Sequence, residues 1–168
     1  KRHGSGITFI PSGNSKTPRL TKVTKMPNST FKAPSASVIV KVPFHDVDSA
    51  YIAWHGHYAK YFEIARCELL DSFDYNYQQM SDSGFFWPVI DMQIRYVKPA
   101  VFQQELKVTA TLAEWENRLL IRYLIEDAHT GQRLTKGQTA QVAVRMDTKE
   151  MLLASPAVLL EKLGINDD

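Results

Sequence analysis

The sequence predicts an α+β fold in which an antiparallel sheet of about five strands wraps around one long central helix. Residues 57–73 carry apolar side chains at helical spacing, whereas one earlier stretch and four later ones alternate between apolar and polar residues. The order is therefore strand, long helix and four further strands. Packing the apolar side of the helix on the apolar side of the sheet buries both, which is the arrangement that this order favours.

The first predicted strand covers residues 38–44 and leads directly into an acidic segment. Its apolar side chains alternate with Ser37, Lys41 and His45, a pattern typical of a half-buried strand. The helix that follows is about 25 Å long at 1.5 Å per residue, enough to cross a sheet. Its apolar side consists of Tyr58, Tyr61, Phe62, Ala65, Leu69 and Phe73.

Four more strands and two short helices are predicted after the long helix. A short helix within residues 76–84 precedes a strand at 86–96, which Pro99 ends. Strands at 106–112, 119–125 and 134–144 are joined by short turns and form a meander. A C-terminal helix is predicted at 155–163, where Ser155, Pro156 and Gly164 supply start and stop signals.

For two of these strands the pattern predicts which side chains face the core. In the strand at 86–96 the predicted apolar face consists of Ile90, Met92, Ile94 and Tyr96. In the strand at 134–144 it consists of Leu134, Gln138, Ala140, Val142 and Val144, with Thr135, Thr139, Gln141 and Arg145 on the other side. The edges of such a sheet predict pairing with a second copy of the chain.

Residues 1–35 are expected to be an N-terminal tail. They are rich in Pro, Gly, Ser and Thr and contain seven Lys or Arg residues but no acidic residue. The chain does not begin with Met, and we expect residues 1–25 to be vector-derived or an extension without a role in the chemistry. Residues 36–168 then form a single domain, which holds 13 of the 20 basic and all 18 acidic residues, a net charge of −5. This acidic domain argues against nucleic-acid binding.

Composition narrows the class of protein further. Cys67 is the only cysteine, which excludes an internal disulfide and is compatible with a reducing cytoplasm. No apolar run approaches the roughly 18 residues that a membrane span needs. No glycine-rich phosphate loop is present, so we expect no nucleotide cofactor and no other cofactor.

Two aspartates and two histidines lie immediately before the long helix: Asp46, Asp48, His55 and His57. A carboxylate beside a helix N-terminus can supply a base or nucleophile together with N–H donors for a developing oxyanion. Two other roles are also open for these aspartates and histidines. Aspartates commonly form helix caps or turns, and imidazole with carboxylate can bind a metal, although a third spaced ligand is missing.

Four segments of the sequence form one pattern: Phe44-x-Asp46-x-Asp48, Ala53-Trp54-His55-x-His57-Tyr58, Phe62-Glu63-x-Ala65-Arg66 and, downstream, Tyr96-x-x-Pro99-Ala100 followed by Glu105-Leu106. This pattern resembles the 4-hydroxybenzoyl-CoA thioesterase family of hot-dog-fold acyl-CoA hydrolases. The resemblance covers residues 38–147. It implies a hot-dog fold and hydrolysis of an acyl-CoA or acyl-carrier-protein thioester at the interface of a homodimer or a dimer of dimers.

Carried over by position, the resemblance implies that Asp48 is the catalytic carboxylate and that the His55 backbone N–H polarises the thioester carbonyl. Asp48 acts either as nucleophile or as base, and the sequence does not separate the two. The chain departs from the family at Tyr51, where Gly is usual, and near Gln104, where Asp is usual.

The remaining candidate site residues are substrate contacts: Tyr51, His57, Tyr58, Phe86 and Trp87. Phe86 and Trp87 are assigned to an acyl pocket on their aromatic character, although an aromatic core would have the same composition. Two other functions stay open from the sequence, a hot-dog dehydratase acting on 3-hydroxyacyl chains and a non-catalytic acyl-CoA-binding module.

Overall fold

A computed structural model of the chain describes residues 31–165. The tail predicted at 1–35 and its segment 1–25 therefore lie outside the described residues, except for 31–35. From residue 32 onward the described chain forms one compact unit. Its strands are β1 (Ser35–Lys41), β2 (Phe85–Phe86), β3 (Val89–Tyr96), β4 (Glu105–Glu114), β5 (Leu119–Asp127), β6 (Arg133–Gln141) and β7 (Val144–Arg145). Its α-helices are α1 (Tyr58–Asp71), α2 (Tyr77–Asp82) and α3 (Ala157–Lys162).

Five strands form one antiparallel sheet in the order β1-β4-β5-β6-β3. The short strands β2 and β7 pair separately, with Phe86 opposite Val144. This sheet with α1 against it confirms the predicted α+β class and the predicted meander of β4, β5 and β6. Among residues 31–165, none of the helices has the length and hydropathy of a membrane span.

Helix α1 packs on the sheet through the side that the periodicity predicts. Its side chains on this side are at most 2% exposed: Tyr58, Tyr61, Phe62, Ala65 and Leu69. The Phe62 ring stacks on Tyr123 of β5 with a centroid distance of 4.4 Å and an interplanar angle of 9°. Gly137 of β6 permits this approach, because a Cβ there would lie 2.6 Å from the Phe62 ring.

The prediction for the two faces of β6 is wrong. Thr135, Thr139 and Gln141 lie on the same face as the buried Ile121 and Ile125 of β5 and are at most 2% exposed. Hydrogen bonds explain two of these buried polar side chains: the Thr139 hydroxyl bonds Tyr123 at 2.9 Å, and the Gln141 amide donates to the Trp87 carbonyl at 2.6 Å. The strand also ends at Gln141, so Val144 belongs to β7 instead.

The strand predicted at 86–96 divides at Trp87 and Pro88 into β2 and β3. The apolar side chains of β3 are not covered by the rest of the described chain. Ile90 is 56% exposed, Met92 43% and Tyr96 47%. Within residues 31–165, β3 pairs along one edge only, with β6. Its other edge and its apolar side chains are therefore available to a partner.

Candidate active site

Asp48 lies in a tight hairpin that connects β1 to the start of the long helix. The Tyr51 N–H donates to the Asp48 carbonyl at 3.0 Å, and the Asp48 N–H donates to the Ile52 carbonyl at 2.9 Å. Tyr51 has a φ of 59°, in the left-handed region. These bonds and this backbone define a three-residue hairpin loop whose last position favours Gly. The family resemblance likewise placed Gly there, so Tyr51 adopts the backbone that a glycine would adopt without strain.

The Asp48 side chain is exposed and takes part in the turn. Its Oδ1 accepts the Ala50 N–H at 2.8 Å, which gives the aspartate the turn-forming role that the sequence left open. Oδ2 has no hydrogen-bond partner among the described residues. One carboxylate oxygen is thus held by the loop while the other stays available to a ligand.

The N-terminal end of the long helix begins with a 3₁₀ turn at His55–His57, which continues into α1. The His57 N–H donates to the Trp54 carbonyl at 2.9 Å. In the described structure the N–H groups of His55 and Gly56 have no acceptor, as expected for the first residues of a helix. The His55 carbonyl accepts the Tyr96 hydroxyl at 2.6 Å, which fixes the orientation of the peptide group between His55 and Gly56.

Asp48 and the helix start line the same cleft, which has a volume of about 330 Å³. The side of the cleft opposite the hairpin comes from the end of β3 and the turn after it. Tyr58 forms part of the floor, where its hydroxyl accepts the Ala100 N–H at 3.0 Å and its ring meets Tyr96 edge to face at 5.0 Å. The lining includes Asp48, His55, Tyr58, Tyr96, Val97 and Lys98.

Asp46 fastens the Asp48 hairpin to α1. Its side chain is 1% exposed, forms an ion pair with Lys60 and accepts the Tyr61 hydroxyl at 2.9 Å. Its backbone carbonyl accepts the Trp54 N–H at 2.9 Å. The sequence analysis allowed Asp46 a structural role as a cap or turn residue. The structure shows a buried anchor with partners 14 and 15 residues further along the chain.

Two pKa shifts follow from this anchor. Burial by itself raises the pKa of Asp46, but the hydrogen bonds from Lys60 and Tyr61, with the positive charge of Lys60, outweigh burial and lower it. The pKa of Tyr61 is raised well above its usual range by burial and by the adjacent Asp46 carboxylate. Asp46 is therefore charged and Tyr61 neutral near pH 7.

The predicted substrate contacts are distributed over different parts of the fold. Of the five, only Tyr58 lines the cleft. Tyr51 is 61% exposed on the hairpin, and His57 packs edge to face on Trp54 at 5.3 Å. Phe86 and Trp87 lie beside β7, where Trp87 is 6% exposed and its indole N–H donates to Tyr75 at 3.4 Å. These four residues do not line the cleft formed within one chain.

The cleft residues that sequence reasoning missed include Tyr96 and Lys98. The Tyr96-x-x-Pro99 segment was part of the resemblance, and it could have identified this wall of the site.

Gln104, where the chain departs from the family, has a local role. Its side-chain NH₂ donates to Asp127 at 2.7 Å, and its side-chain oxygen Oε1 accepts the Val101 N–H at 3.0 Å. Gln104 therefore holds the turn after the Pro-Ala segment.

Comparison with known proteins gives a family and several relatives. The model of the thioesterase-like superfamily matches residues 42–163. A Synechocystis sp. protein named "Putative esterase sll0410" is 25% identical over 133 residues, which cover 75% of this chain and 76% of that protein. A Bacillus subtilis protein named "Putative acyl-CoA thioesterase YneP" is 28% identical over 76 residues, 45% of this chain and 52% of that protein. The second match thus spans about half of each chain.

Solved structures with the same architecture confirm the predicted hot-dog fold. A hypothetical protein of Thermus thermophilus is 27% identical with a TM-score of 0.69, and the match covers 77% of this chain and 97% of that one. A 1,4-dihydroxy-2-naphthoyl-CoA thioesterase of Synechocystis is 20% identical with a TM-score of 0.69, covering 77% and 96%. At this lower identity the likeness establishes the fold alone.

Proposed function

The chain belongs to the thioesterase-like superfamily and is a thioester hydrolase, and we propose that it hydrolyses an acyl-CoA thioester in the Asp48 cleft. An acyl-carrier-protein thioester has the same reacting group. The proposal rests on one observation: the Asp48 carboxylate and the start of the long helix at His55 line the same cleft of about 330 Å³. Together they provide the two elements that thioester hydrolysis requires.

In the proposed reaction the thioester carbonyl oxygen faces the unpaired N–H groups at His55 and Gly56. As a base, Asp48 accepts a proton from water while the water oxygen attacks the carbonyl carbon. As a nucleophile, its free oxygen attacks directly and water then hydrolyses the mixed anhydride. In both routes the C–S bond breaks and the thiolate leaves to be protonated. One oxyanion donor lowers the barrier by about 3 kcal/mol, so the backbone groups matter as much as the carboxylate.

The local packing supports this assignment of donors. The Trp54 ring occupies the space above Gly56, where a Cβ would come within 2.0 Å of the indole. A side chain at position 56 would have to displace this half-exposed ring, so Gly56 lets the Trp54 ring lie against the first turn of the helix. The Asp46 anchor ties the hairpin and the helix together and thereby maintains the distance between Asp48 and these amides.

We also propose that two copies pair through the free edge of β3. Antiparallel pairing about a two-fold axis would satisfy the unpaired backbone groups of both edges and cover the exposed apolar side chains of β3. Tyr96, the last residue of β3, and Val97, which follows it, line the cleft, so the second copy would complete the site. Met92→Lys should yield a folded monomer by light scattering, whereas Ile39→Lys on the opposite edge strand β1 should stay dimeric. A monomeric wild-type protein would contradict the pairing.

The hydrolase proposal is tested by thiol release. Purified wild-type protein is given acyl-CoAs of different chain length and aromatic character, and free CoA is measured with a thiol reagent. Hydration of a crotonyl thioester is followed in parallel. Thiol release with at least one substrate is expected, without hydration. Hydration without release would indicate a dehydratase instead, and binding of acyl-CoA without either reaction would indicate a non-catalytic module.

A cytoplasmic location stays a prediction. Its support is that Cys67, the one cysteine, cannot form an internal disulfide, and a chain without disulfides is compatible with a reducing compartment. Fractionation of the producing cells, with the protein detected by antibody, would test the location.

A further inference from the structure

The outer face of the sheet, turned away from α1, carries a depression lined by four cations. Its volume is about 490 Å³. Because Tyr123 stacks on α1, its neighbours in β5 point to the opposite face of the sheet. The cations come from three strands and are called here the outer-face cation site: Arg95 of β3, Arg122 of β5, and Arg133 and Lys136 of β6.

The strand register brings like charges together in this site. Arg95 pairs directly with Lys136 across β3 and β6, so their Cβ atoms lie about 5 Å apart. Arg122 pairs with Gln138, one step along the same face of β6. Like charges directly opposite each other destabilise a sheet. An anion bound between the two cations would offset this repulsion.

No acidic side chain in the described part of the chain neutralises these cations. None of the four has a carboxylate within 4.0 Å, and no Asp or Glu lines the depression. Glu126 stands opposite Arg133 in the register but forms no ion pair with it. The domain as a whole is acidic, with 13 basic and 18 acidic residues after position 35. A cluster of unpaired cations on such a domain creates a local positive potential that attracts anions.

The outer-face cation site and the active-site cleft lie on two sides of the same corner of the sheet. Tyr96 and Lys98 line the cleft, while Arg95, the residue before Tyr96, points to the outer face. The Val97 and Lys98 N–H groups both donate to the Leu134 carbonyl at 2.9 Å, which places this corner beside Arg133. Arg95 and Lys98 are three residues apart, at most about 10 Å along the chain. A long ligand bound in the cleft can therefore pass the end of β3 at Lys98 and reach the cations, and this path leaves the β3 edge free for the second copy.

We propose that the outer-face cation site binds the phosphate groups of the nucleotide end of the CoA thioester. This inference rests on the proposed function and names the part of the substrate that selects CoA over a carrier without a nucleotide. Guanidinium groups bind phosphate in a two-pronged manner, and several cations together match a ligand that carries several phosphates. Lys98 in the cleft continues the line of positive charge toward the reacting carbonyl.

Calorimetric binding of free CoA tests this site without depending on hydrolysis. The triple variant Arg95→Gln, Arg122→Gln and Lys136→Gln should bind CoA at least about tenfold more weakly than wild type, because a hydrogen bond to a charged group contributes about that factor. Pantetheine, which has the thiol arm but no phosphate, should bind both proteins equally. Added salt should weaken CoA binding to wild type. Lys41→Gln, on the opposite edge strand β1, is the matched charge control and should bind CoA as wild type does.

Equal CoA affinity in the triple variant and wild type would overturn the proposal. An equal loss for CoA and pantetheine would also overturn it, because that loss indicates a general disturbance of the fold. The result is independent of the hydrolase proposal. If the protein binds CoA through these cations but releases no thiol, the hydrolase proposal is refuted and the phosphate site stands. If the protein releases thiol but the triple variant binds CoA as wild type does, the phosphate site is refuted and the hydrolase proposal stands.

Discussion

Removing the Asp46 side chain should destabilise the protein strongly, because Asp46 connects the Asp48 hairpin to α1. Tyr61 is 1% exposed, so Asp46→Ala leaves a buried hydroxyl without its acceptor, at a cost of about 1–3 kcal/mol. Loss of the Lys60 ion pair adds about 1 kcal/mol or less, since the Lys60 side chain is 44% exposed and solvent screens the pair. We expect a total loss of about 3 kcal/mol.

Asp46→Asn separates the two contributions. The Asn carbonyl still accepts the Tyr61 hydroxyl, so this variant should lose about 1 kcal/mol, mostly from the charge on Lys60. Urea unfolding measures both variants. At a slope of about 2 kcal/mol per molar, Asp46→Ala should move the midpoint down by about 1.5 M and Asp46→Asn by about 0.5 M, with unchanged slopes.

The contribution of Asp46 should also depend on pH. Its pKa is lowered in the folded state, so its stabilisation is complete above the ordinary aspartate pKa of about 4 and is lost as the pH falls through the lowered value. The stability difference between wild type and Asp46→Asn should therefore be constant at neutral pH and shrink below about pH 4. If Asp46→Ala and Asp46→Asn lose the same free energy of unfolding, or if both lose less than about 0.5 kcal/mol, the anchoring role of Asp46 is refuted.

Two backbone positions give further predictions. Gly137→Ala should lose about 1–3 kcal/mol in urea unfolding, because the added Cβ lies 2.6 Å from both the Phe62 ring and the Gln93 carbonyl oxygen; unchanged stability would contradict the packing described. Tyr51→Gly should gain about 0.5–1 kcal/mol and raise Tm by about 2 °C, since glycine adopts a positive φ without strain. The control Tyr51→Ala keeps the strained backbone, and an equal gain in both variants would locate the effect in the ring instead.

The parts of the fold that the sequence predicted are those where burial follows a simple period. Helix α1 and strands β4 and β5 place apolar side chains on one side, and the hydrophobic pattern reflects this directly. Strand β6 was predicted with its faces reversed, because Thr139 and Gln141 are buried by means of hydrogen bonds to Tyr123 and Trp87. A pattern based on polarity cannot anticipate partners that lie elsewhere in the chain.

The candidate site was predictable only as far as neighbours in sequence form it. Asp48 and His55 stand seven positions apart, and their proximity to a helix start follows from the order of elements. The anchoring role of Asp46 depends on Tyr61, which lies 15 residues further along the chain. The outer-face cation site depends on strand register, which the sequence does not specify well without the turns that connect the strands.

The assignment of Asp48 as the catalytic carboxylate is tested most directly by the turnover number of Asp48→Asn with an acyl-CoA that wild type hydrolyses. Asn keeps the turn but can act neither as base nor as nucleophile, so kcat should fall by about 10²–10⁴ while urea unfolding stays the same. Asp74→Asn, an exposed change at the far end of α1, is the control and should retain wild-type kcat. A folded Asp48→Asn protein that releases thiol within about tenfold of the wild-type rate would contradict the assignment of Asp48 as the catalytic carboxylate.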